Sequence, residues 1–409
     1  MKPLRISLIE FSPSTGLFHF AFQLGAALAE RGHEVELITG SDPELASSRS
    51  NFRLVSILPT WHPGDRGEPR LLRRCRRIPR AGLHVAAWGV LARHLRASRP
   101  DVAQWASWRF AMDGMFAGLI ARRRWTGISV DLCHEPAPLQ EQRSGASPYR
   151  RGWLLDQGLT YGYQSMDTVL VLGPTARKDL LRLRPGIARC ELIPHGDEQV
   201  LSGTRRPPAP SECPARVVMF GSLTAYKGID TLLDAWPTVR RAVPDAELVI
   251  AGGVVGDLDA GALARRVAGL AGADLQPGYV AVGDVAPLVG SARVSVAPYR
   301  RSNASGAVRL AQTLGRPVVV TDVGDLAASV VHESSGLVIA PDNSEALAGA
   351  IVRLLRDGAM ADRMGRAGYD QLMATASWPI VASEVERVYL EALGRRRISP
   401  ASSPPSSPP

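Results

Sequence analysis

The sequence predicts an α/β protein of two domains, each built on a parallel sheet. Its 409 residues suit two domains of about 200 residues each, long enough for separate cores. Strand-like and helix-like patterns alternate along the chain, as in parallel sheets. A segment rich in Pro, Ser and Arg at residues 202–215 interrupts this alternation and predicts a linker. We therefore expect two Rossmann-like domains that face a central cleft, where ligands of open α/β sheets bind.

The first predicted domain spans residues 1–201 and opens with a strand, a helix and a second strand. Residues 4–11 (LRISLIEF) have the apolar run of a buried strand. Residues 17–32 have helical apolar spacing that ends at Gly32, a common residue at helix C-termini. The later strands of this domain are predicted at residues 34–39, 99–105, 128–134 and 168–173, and the domain ends near residues 192–197.

The second predicted domain spans residues 216–378 and repeats the alternation. It begins with a strand at residues 216–221, a helix at 229–242 and a strand at 246–253. Further elements are predicted at residues 293–299, 317–323 and 344–358. A last helix is predicted at residues 379–394. The tail at residues 395–409, rich in Ser and Pro, lacks the apolar residues of a core and is predicted to be disordered.

The charge of the chain is concentrated in its first half. The net charge is +9, and residues 1–200 carry 27 basic and 19 acidic side chains against 21 and 20 in the remainder. A positive field on one domain concerns its partners rather than its fold. With 45% hydrophobic and 21% charged residues, the composition is that of an ordinary folded domain rather than a disordered or fibrous chain.

The four cysteines show no CxxC pairing, so we expect reduced thiols and no metal site. The sequence shows neither a signal peptide nor a segment of the roughly 20 apolar residues that a membrane span needs. These features favour a cytoplasmic location.

The first chemically informative motif is the turn between the strand at 216–221 and the helix at 229–242. It contains Lys227, one of only three lysines among 48 basic residues. A helix N-terminus offers free N–H groups and a partial positive charge, and an added ammonium group suits a diphosphate. The alternative is a solvated lysine at a helix start.

The second motif lies in residues 296–326, where a strand is followed by Ser305, Gly306 and Ala307 at the start of a helix. Small residues there would let backbone N–H groups approach a phosphate. Arg309 adds a charge nearby. An ordinary N-cap explains the same residues.

Together these motifs, with residues 29–39, 192–197 and 315–324 (GRPVVVTDVG), resemble the GT-B fold glycosyltransferases of family 4. The resemblance extends over roughly residues 4–393 and implies a final helix that crosses back to the first domain. It also implies a nucleotide-diphosphate-sugar donor as substrate, no cofactor, no required metal and retention of the anomeric configuration.

The resemblance assigns a role to several positions. Lys227 would hold the donor diphosphate and His134 would lie near the transferred sugar, so both are the predicted catalytic residues. The remaining predicted donor-binding residues are Gly16, Gly221, Ser222, Tyr279, Val280, Ser305, Gly306, Ala307, Val308 and Arg309.

Four positions depart from the family pattern, and one of them is Ala328, which replaces a frequent glutamate after the TDVG loop. Ser222 replaces a frequent arginine, while Ser302 and Leu310 replace two glutamates that contact the sugar and the ribose in relatives. A carboxylate that binds two hydroxyls is a strong, directional partner, which neither Ser nor Leu replaces.

The basic stretch at residues 66–80 contains seven arginines and one glutamate. Its central arginines, Arg73, Arg74, Arg76 and Arg77, suit anionic lipid headgroups at the inner face of a membrane or an acidic acceptor. A solvated loop is the alternative, and no motif for nucleic-acid binding accompanies the charge.

We therefore predict a glycosyltransferase whose first domain binds a small-molecule, glycan or lipid-linked acceptor. The alternative is a degenerate homologue that binds a nucleotide sugar, or supports a partner, without turnover. A nucleotide-dependent oxidoreductase ranks low, because residues 12–16 lack the GxGxxG pattern that follows its first strand.

Overall fold

The computed structural model describes residues 2–59, 77–108, 110–136, 153–203, 207–256 and 258–398. Within these ranges the chain forms two α/β domains, each with a parallel sheet between helices. The predicted fold class is confirmed. The second sheet starts at Arg216, directly after the segment predicted as a linker.

The N-terminal domain is built on a seven-stranded sheet. Its strands are β1 (Arg5–Ile9), β2 (Glu34–Gly40), β3 (Phe52–Leu58), β4 (Val102–Trp105), β5 (Ile128–Cys133), β6 (Thr168–Val171) and β7 (Cys190–Leu192). The helices are α1 (Thr15–Glu30), α2 (Arg77–Ser98), α3 (Ala111–Arg122), α4 (Trp153–Ser165) and α5 (Pro174–Leu183). The strand order is β3-β2-β1-β4-β5-β6-β7, and the central strands are buried because helices cover both faces.

The C-terminal domain is built on a six-stranded sheet. Its strands are β8 (Arg216–Phe220), β9 (Glu247–Gly252), β10 (Ala273–Pro277), β11 (Val294–Ala297), β12 (Val318–Thr321) and β13 (Gly336–Ile339). The helices are α6 (Ile229–Ala242), α7 (Ala260–Ala268), α8 (Val282–Gly290), α9 (Gly306–Thr313), α10 (Ser344–Arg356) and α11 (Gly358–Ala376). The strand order is β10-β9-β8-β11-β12-β13.

Both sheets reverse their strand order at one point, between β1 and β4 in the first and between β8 and β11 in the second. Ligands of such sheets bind in the crevice outside the carboxyl ends of the strands at this point. In the second sheet the loops that bound the crevice follow β8 and β11. These loops carry the two motifs that the sequence singles out, so the topology brings them side by side.

The last helix, α12 (Trp378–Ile398), crosses from the second domain back to the first. Glu386 of α12 accepts a hydrogen bond of 2.6 Å from Arg31 and contacts the ring of His33 at 3.0 Å. Tyr389 is fully buried in the core of the first domain and donates to Gln104. Helix α12 therefore packs against the first domain.

The predicted boundaries of this helix, 379–394, are too short at both ends. The helix begins at Trp378 and includes residues 395–398, which were expected to be disordered. It continues because the Arg396 guanidinium binds the carboxylate of Asp167 and the backbone carbonyl of Gly127. The rest of the predicted tail, residues 399–409, lies outside the described residues.

Side-chain contacts join the domains across the cleft. The Asp325 carboxylate of the second domain accepts hydrogen bonds from Thr175 N at 2.9 Å and Ala176 N at 3.1 Å. These N–H groups lie in the first turn of α5, so Asp325 supplies its N-terminal cap from another domain. Tyr279 of the second domain donates its phenol hydrogen to Glu44 of the first.

Asp325→Ala should loosen the two domains, because it leaves two N–H groups at the start of α5 without their acceptor. We expect the free energy of unfolding to fall by about 1–2 kcal/mol. Urea denaturation followed by circular dichroism measures the loss, and small-angle X-ray scattering should show a larger radius of gyration.

Asp322→Ala is the matched control, since Asp322 lies in the same loop and is exposed. Equal stability and equal radius in both variants would contradict a joining role for Asp325.

Candidate active site

Lys227 is the centre of the predicted diphosphate site. It ends a short 3-10 turn, Ala225–Lys227, after β8 and is only 8% exposed. Its Nζ lies 3.1 Å from the position that a β-carbon on Gly221 would take and 5.1 Å from the ring centroid of Tyr299. Among the described residues, no carboxylate lies within salt-bridge distance of this ammonium. A buried cation without a carboxylate partner favours an anionic ligand.

The turn that holds Lys227 depends on Gly228. This residue has a φ of +67° and begins α6. A β-carbon there would lie 1.9 Å from the carbonyl oxygen of Pro298, so only glycine permits the contact between the loops after β8 and β11.

Arg300 strengthens the same contact. Its guanidinium binds Asp230 at 2.6 Å and Asp342 at 2.5 Å, and its backbone N–H donates to the carbonyl of Tyr226. Two carboxylates therefore pair with the charge of Arg300. Its backbone hydrogen bond to Tyr226 holds the turn that contains Lys227 in place.

The start of α9 faces the same point. Ser305 caps the helix and accepts a hydrogen bond from Val308 N at 3.4 Å. A β-carbon on Gly221 would lie 3.8 Å from that of Ala307. Gly221, Lys227 and the first turn of α9, which contains Gly306 and Ala307, therefore converge as the sequence predicts. A helix N-terminus beside an ammonium group is suited to a diphosphate.

Two histidines, the half-buried His134 and the buried His195, flank Phe20 of α1 at the bottom of the cleft. The rings of His134 and His195 lie edge-on to Phe20, with centroid distances of 5.3 and 5.6 Å. Loss of hydration and the neighbouring His195 together lower the pKa of His134 to about 3. Burial and the Arg309 charge lower the pKa of His195 to about 4. Both rings are neutral near pH 7 and offer hydrogen bonds without charge.

His134 has a vacant hydrogen-bonding position. Its buried Nε2 has no hydrogen-bond partner among the described residues. Its backbone carbonyl accepts a 3.5 Å hydrogen bond from Asn303, in the loop that precedes α9. His134 is therefore next to the donor loop, which is the placement that its predicted role requires.

Glu198 is a site residue that sequence reasoning missed. Burial raises the pKa of its carboxyl to about 8. The carboxyl accepts a 3.3 Å hydrogen bond from Gln23 of α1, and Oε1 lies 3.1 Å from the position of a β-carbon on Gly306. The sequence feature that could have indicated Glu198 is its position directly after the segment at 192–197, where the chain leaves the first domain.

Arg309 lies on the first turns of α9, and burial lowers the pKa of its guanidinium to about 10. It remains a cation near pH 7 and donates a 3.1 Å hydrogen bond to Gln312. Together with Lys227 it gives this end of the cleft a positive charge.

The other predicted donor residues lie at the rim of the cleft. Gly16 is the second residue of α1 and faces open space, and Ser222 is exposed. Tyr279 is 46% exposed and Val280 is partly buried. Hydrogen bonds from His19, Tyr279 and the backbone of Thr15 lower the pKa of Glu44, although burial acts in the opposite direction. The hydrogen-bond partner of the Tyr279 hydroxyl is therefore a carboxylate.

Two of the departures from the family pattern are built into the fold. Leu310 is 1% exposed and belongs to the core of the second domain. Ser302 is buried, and its carbonyl packs against the α-carbon of Gly324. Neither side chain carries a carboxylate.

Most of the predicted basic patch lies outside the described residues. Arg73, Arg74 and Arg76 lie outside the described residues, and only the backbone of Arg77 is described, at the start of α2. Within the described ranges, no cluster of three or more His, Cys, Asp or Glu side chains is arranged to hold a metal ion. In the same ranges, no helix has the length and apolar character needed to cross a membrane.

Comparison with protein families agrees with this geometry. A model of the family "Glycosyl transferases group 1" matches residues 214–357, and a model of the "Glycosyl transferase 4-like domain" matches residues 15–196. The glycogen synthase of Mycobacterium tuberculosis is 26% identical over 94% of this chain and 93% of its own length. The phosphatidyl-myo-inositol mannosyltransferase of Mycobacterium leprae is 32% identical over 40% of this chain and 42% of its own length.

Solved structures share the fold over nearly the whole chain. Sucrose-phosphate synthase from Thermosynechococcus elongatus superposes with a TM-score of 0.70 at 22% identity, covering 96% of this chain and all of the other. Anabaena HepE in complex with UDP-glucose gives a TM-score of 0.67 at 13% identity, covering 95% of this chain and all of the other.

Glu198 should make stability depend on pH. The folded protein holds this proton more tightly than the unfolded chain, whose pKa is near 4.5. The stability that the group contributes is therefore complete below about pH 4.5 and is lost as pH rises through about 8. Glu198→Gln lacks this loss, so its unfolding free energy relative to wild type should rise by on the order of 1 kcal/mol per pH unit across this window.

Urea unfolding of both proteins at several pH values checks the difference, with Glu34→Gln as an exposed control. A difference between Glu198→Gln and wild type that does not change with pH would show that Glu198 titrates normally.

Proposed function

The chain belongs to the group 1 glycosyltransferases of GT-B fold, and on that premise we propose that it transfers a sugar from a nucleoside-diphosphate donor to an acceptor hydroxyl. One observation carries the proposal. The buried ammonium of Lys227, the turn at Gly221 and the N-terminus of α9 meet at the switch point of the second sheet. HepE, which shares the fold, has been solved with UDP-glucose, and we extend this donor class to the present chain.

The transfer breaks the bond between the anomeric carbon and the diphosphate oxygen, and the electron pair leaves with that oxygen. The acceptor oxygen forms the new bond to the anomeric carbon, and its proton passes to the departing phosphate. Lys227 and the N–H groups of Gly306 and Ala307 would stabilise the charge that develops on the diphosphate. We propose that the reaction retains the anomeric configuration and needs no metal.

The neutral groups at the bottom of the cleft would bind the sugar rather than the diphosphate. His134 presents an unpartnered Nε2, and the protonated Glu198 can donate as well as accept. Neutral groups contact sugar hydroxyls without repelling the negative charge that moves to the phosphate. Contacts across the cleft would keep water away from the reacting carbon.

Lys227→Ala should lower kcat/KM by about 100- to 1,000-fold, because the variant removes the main cation facing the leaving group. Release of the nucleoside diphosphate from UDP- and GDP-sugars measures turnover, and thermal shift with UDP and GDP measures donor binding. Lys178→Ala is the matched control, since Lys178 is exposed on α5. Equal turnover in Lys227→Ala and wild type would overturn the proposed role.

A degenerate homologue is the second candidate, and a specific observation favours it. Leu310 belongs to the hydrophobic core, so the position that carries a ribose-binding glutamate in relatives has no carboxylate here. The same assays separate the candidates. Stabilisation by UDP or GDP with no turnover of any sugar donor would support the degenerate reading.

We also propose that the first domain meets its acceptor at an anionic membrane surface. At the start of α2, next to the arginine-rich stretch, Leu83 is 59% exposed and Val85 is 44% exposed. Phe110, whose ring lies 4.9 Å from that of His84, is 48% exposed and extends this apolar surface. Exposed apolar side chains beside a basic segment are typical of proteins that bind anionic lipid.

The variant Leu83→Ser with Val85→Ser should reduce sedimentation of the protein with vesicles that contain phosphatidylglycerol. Loss of two apolar side chains from an interface weakens partitioning by about tenfold or more. Val331→Ser is the control, because Val331 is 52% exposed on the other domain. Binding to pure phosphatidylcholine vesicles at the same level, or no loss in the variant, would contradict a membrane contact here.

A further inference from the structure

A second cavity lies in the first domain, apart from the Lys227 site. It has a volume of about 350 Å³ and opens at the carboxyl ends of β4 and β5. Leu17 of α1 and Leu159 and Tyr163 of α4 form part of its wall, with Trp108 from the segment after β4. His134 lines this cavity and also contacts the donor loop through Asn303, so it connects the two regions.

Four buried polar atoms of the residues that line this cavity lack a hydrogen-bond partner within the described part of the chain. They are Oδ1 of Asp131, Nε2 of His134, Nε1 of Trp108 and Nε of Arg184. An unpaired buried polar group costs free energy, and such groups in native structures commonly serve a ligand. The four residues share one cavity, which indicates a ligand that pairs with these atoms.

The charges around the cavity disfavour an anion at this point. Arg184 is the cation of the wall, and its terminal guanidinium nitrogens bind Asp156 at 2.7 Å and the hydroxyl of Thr160 at 3.2 Å. The exposed Glu135 also lines the cavity. Burial raises the pKa of Asp131 well above its usual value, which favours the protonated carboxyl, a group that can both donate and accept. A carboxyl at the bottom and a neutralised arginine at the wall suit uncharged hydroxyl groups better than phosphate.

Aromatic side chains add an apolar surface to the polar atoms of this cavity. The rings of Trp108 and Tyr163 lie 4.4 Å apart with an angle of 40° between their planes. Tyr163 donates its phenol hydrogen to Cys133 at 3.2 Å, which leaves its oxygen free to accept. Aromatic faces pack against the C–H groups of a polyhydroxylated ring, while donors and acceptors at its edge bind the hydroxyls.

We propose that this cavity binds a neutral six-membered ring with several hydroxyl groups, a sugar or a cyclitol, as part of the acceptor, and that Asp131 determines this specificity. The assignment of the ring to the acceptor rests on the proposed glycosyltransferase function. Because His134 faces both the cavity and the donor loop, a hydroxyl of the bound ring would point towards the donor sugar.

Binding of myo-inositol and of methyl α-glucopyranoside to the full chain tests the proposal without any glycosyl transfer. Saturation-transfer NMR and quenching of tryptophan fluorescence are the two readouts, and inorganic phosphate is the charged probe. We expect one or both neutral probes to bind, and the preferred probe distinguishes a cyclitol from a sugar. Preferential binding of phosphate, or no binding of either ring, overturns the proposal.

Variants locate the binding. Asp131→Leu should weaken it by about tenfold or more, since one hydroxyl loses its partner, while Asp131→Asn keeps a donor and an acceptor and should retain binding. Asp179→Leu on exposed α5 is the control. If Asp131→Leu does not fold, Trp108→Phe decides instead, because it removes the indole N–H and should weaken binding several-fold.

The two proposals fail separately. Ring binding that Asp131→Leu abolishes, in a protein without donor turnover, would keep the cavity assignment and reject the transferase proposal. Donor turnover that depends on Lys227, in a protein whose ring binding is the same in all variants, would keep the transferase and reject the cavity assignment. Thermal shift with UDP, which reports on the other domain, shows that each variant is folded.

Discussion

The site depends on one constraint, the return of α12 to the first domain. This helix starts beside the end of the first domain, where the Trp378 indole donates to the carbonyl of Asp197 at 2.8 Å. It then buries Tyr389 and pairs Glu386 with Arg31 and His33. The two sheets therefore face each other across a defined cleft, and the contact of Asp325 with α5 forms on its other side. Lys227 and His134 come from different domains, so their relative position exists only within this arrangement.

Burial divides the charged groups of the cleft into two kinds. At the bottom it favours the uncharged forms of His134, His195 and Glu198, because each of their charged forms would lose its hydration. At the start of α9, Arg309 keeps its charge near pH 7, and the Lys227 ammonium faces the same helix start. The result is a neutral, hydrogen-bonding floor beside a cationic wall, which matches a molecule with a hydroxylated ring at one end and a diphosphate at the other.

The departures from the family pattern follow from how α9 packs. Val308, Leu310 and Ala311 are buried in the core of the second domain, so this face of the helix is apolar. Ser222, where the family resemblance implies an arginine, is exposed and uncharged. The proposed donor site therefore relies on backbone N–H groups and Lys227, without the arginine and the glutamates that the resemblance implies.

The sequence by itself determined the alternation of elements and the fold class of two parallel-sheet domains. Helix α6 was predicted with its observed bounds, because these features arise from residues close together in the chain. The sequence also contains an acid, Asp131, within the apolar strand at 128–133, but the sequence alone does not indicate its role. The tertiary structure alone decided the roles of Glu198, Asp325 and Asp131. Gln23 is 175 residues from Glu198 and Thr175 is 150 from Asp325, and the burial that raises the pKa of Asp131 comes from several elements at once. Protonation and pairing depend on what surrounds a group in space, so local sequence could not reveal them.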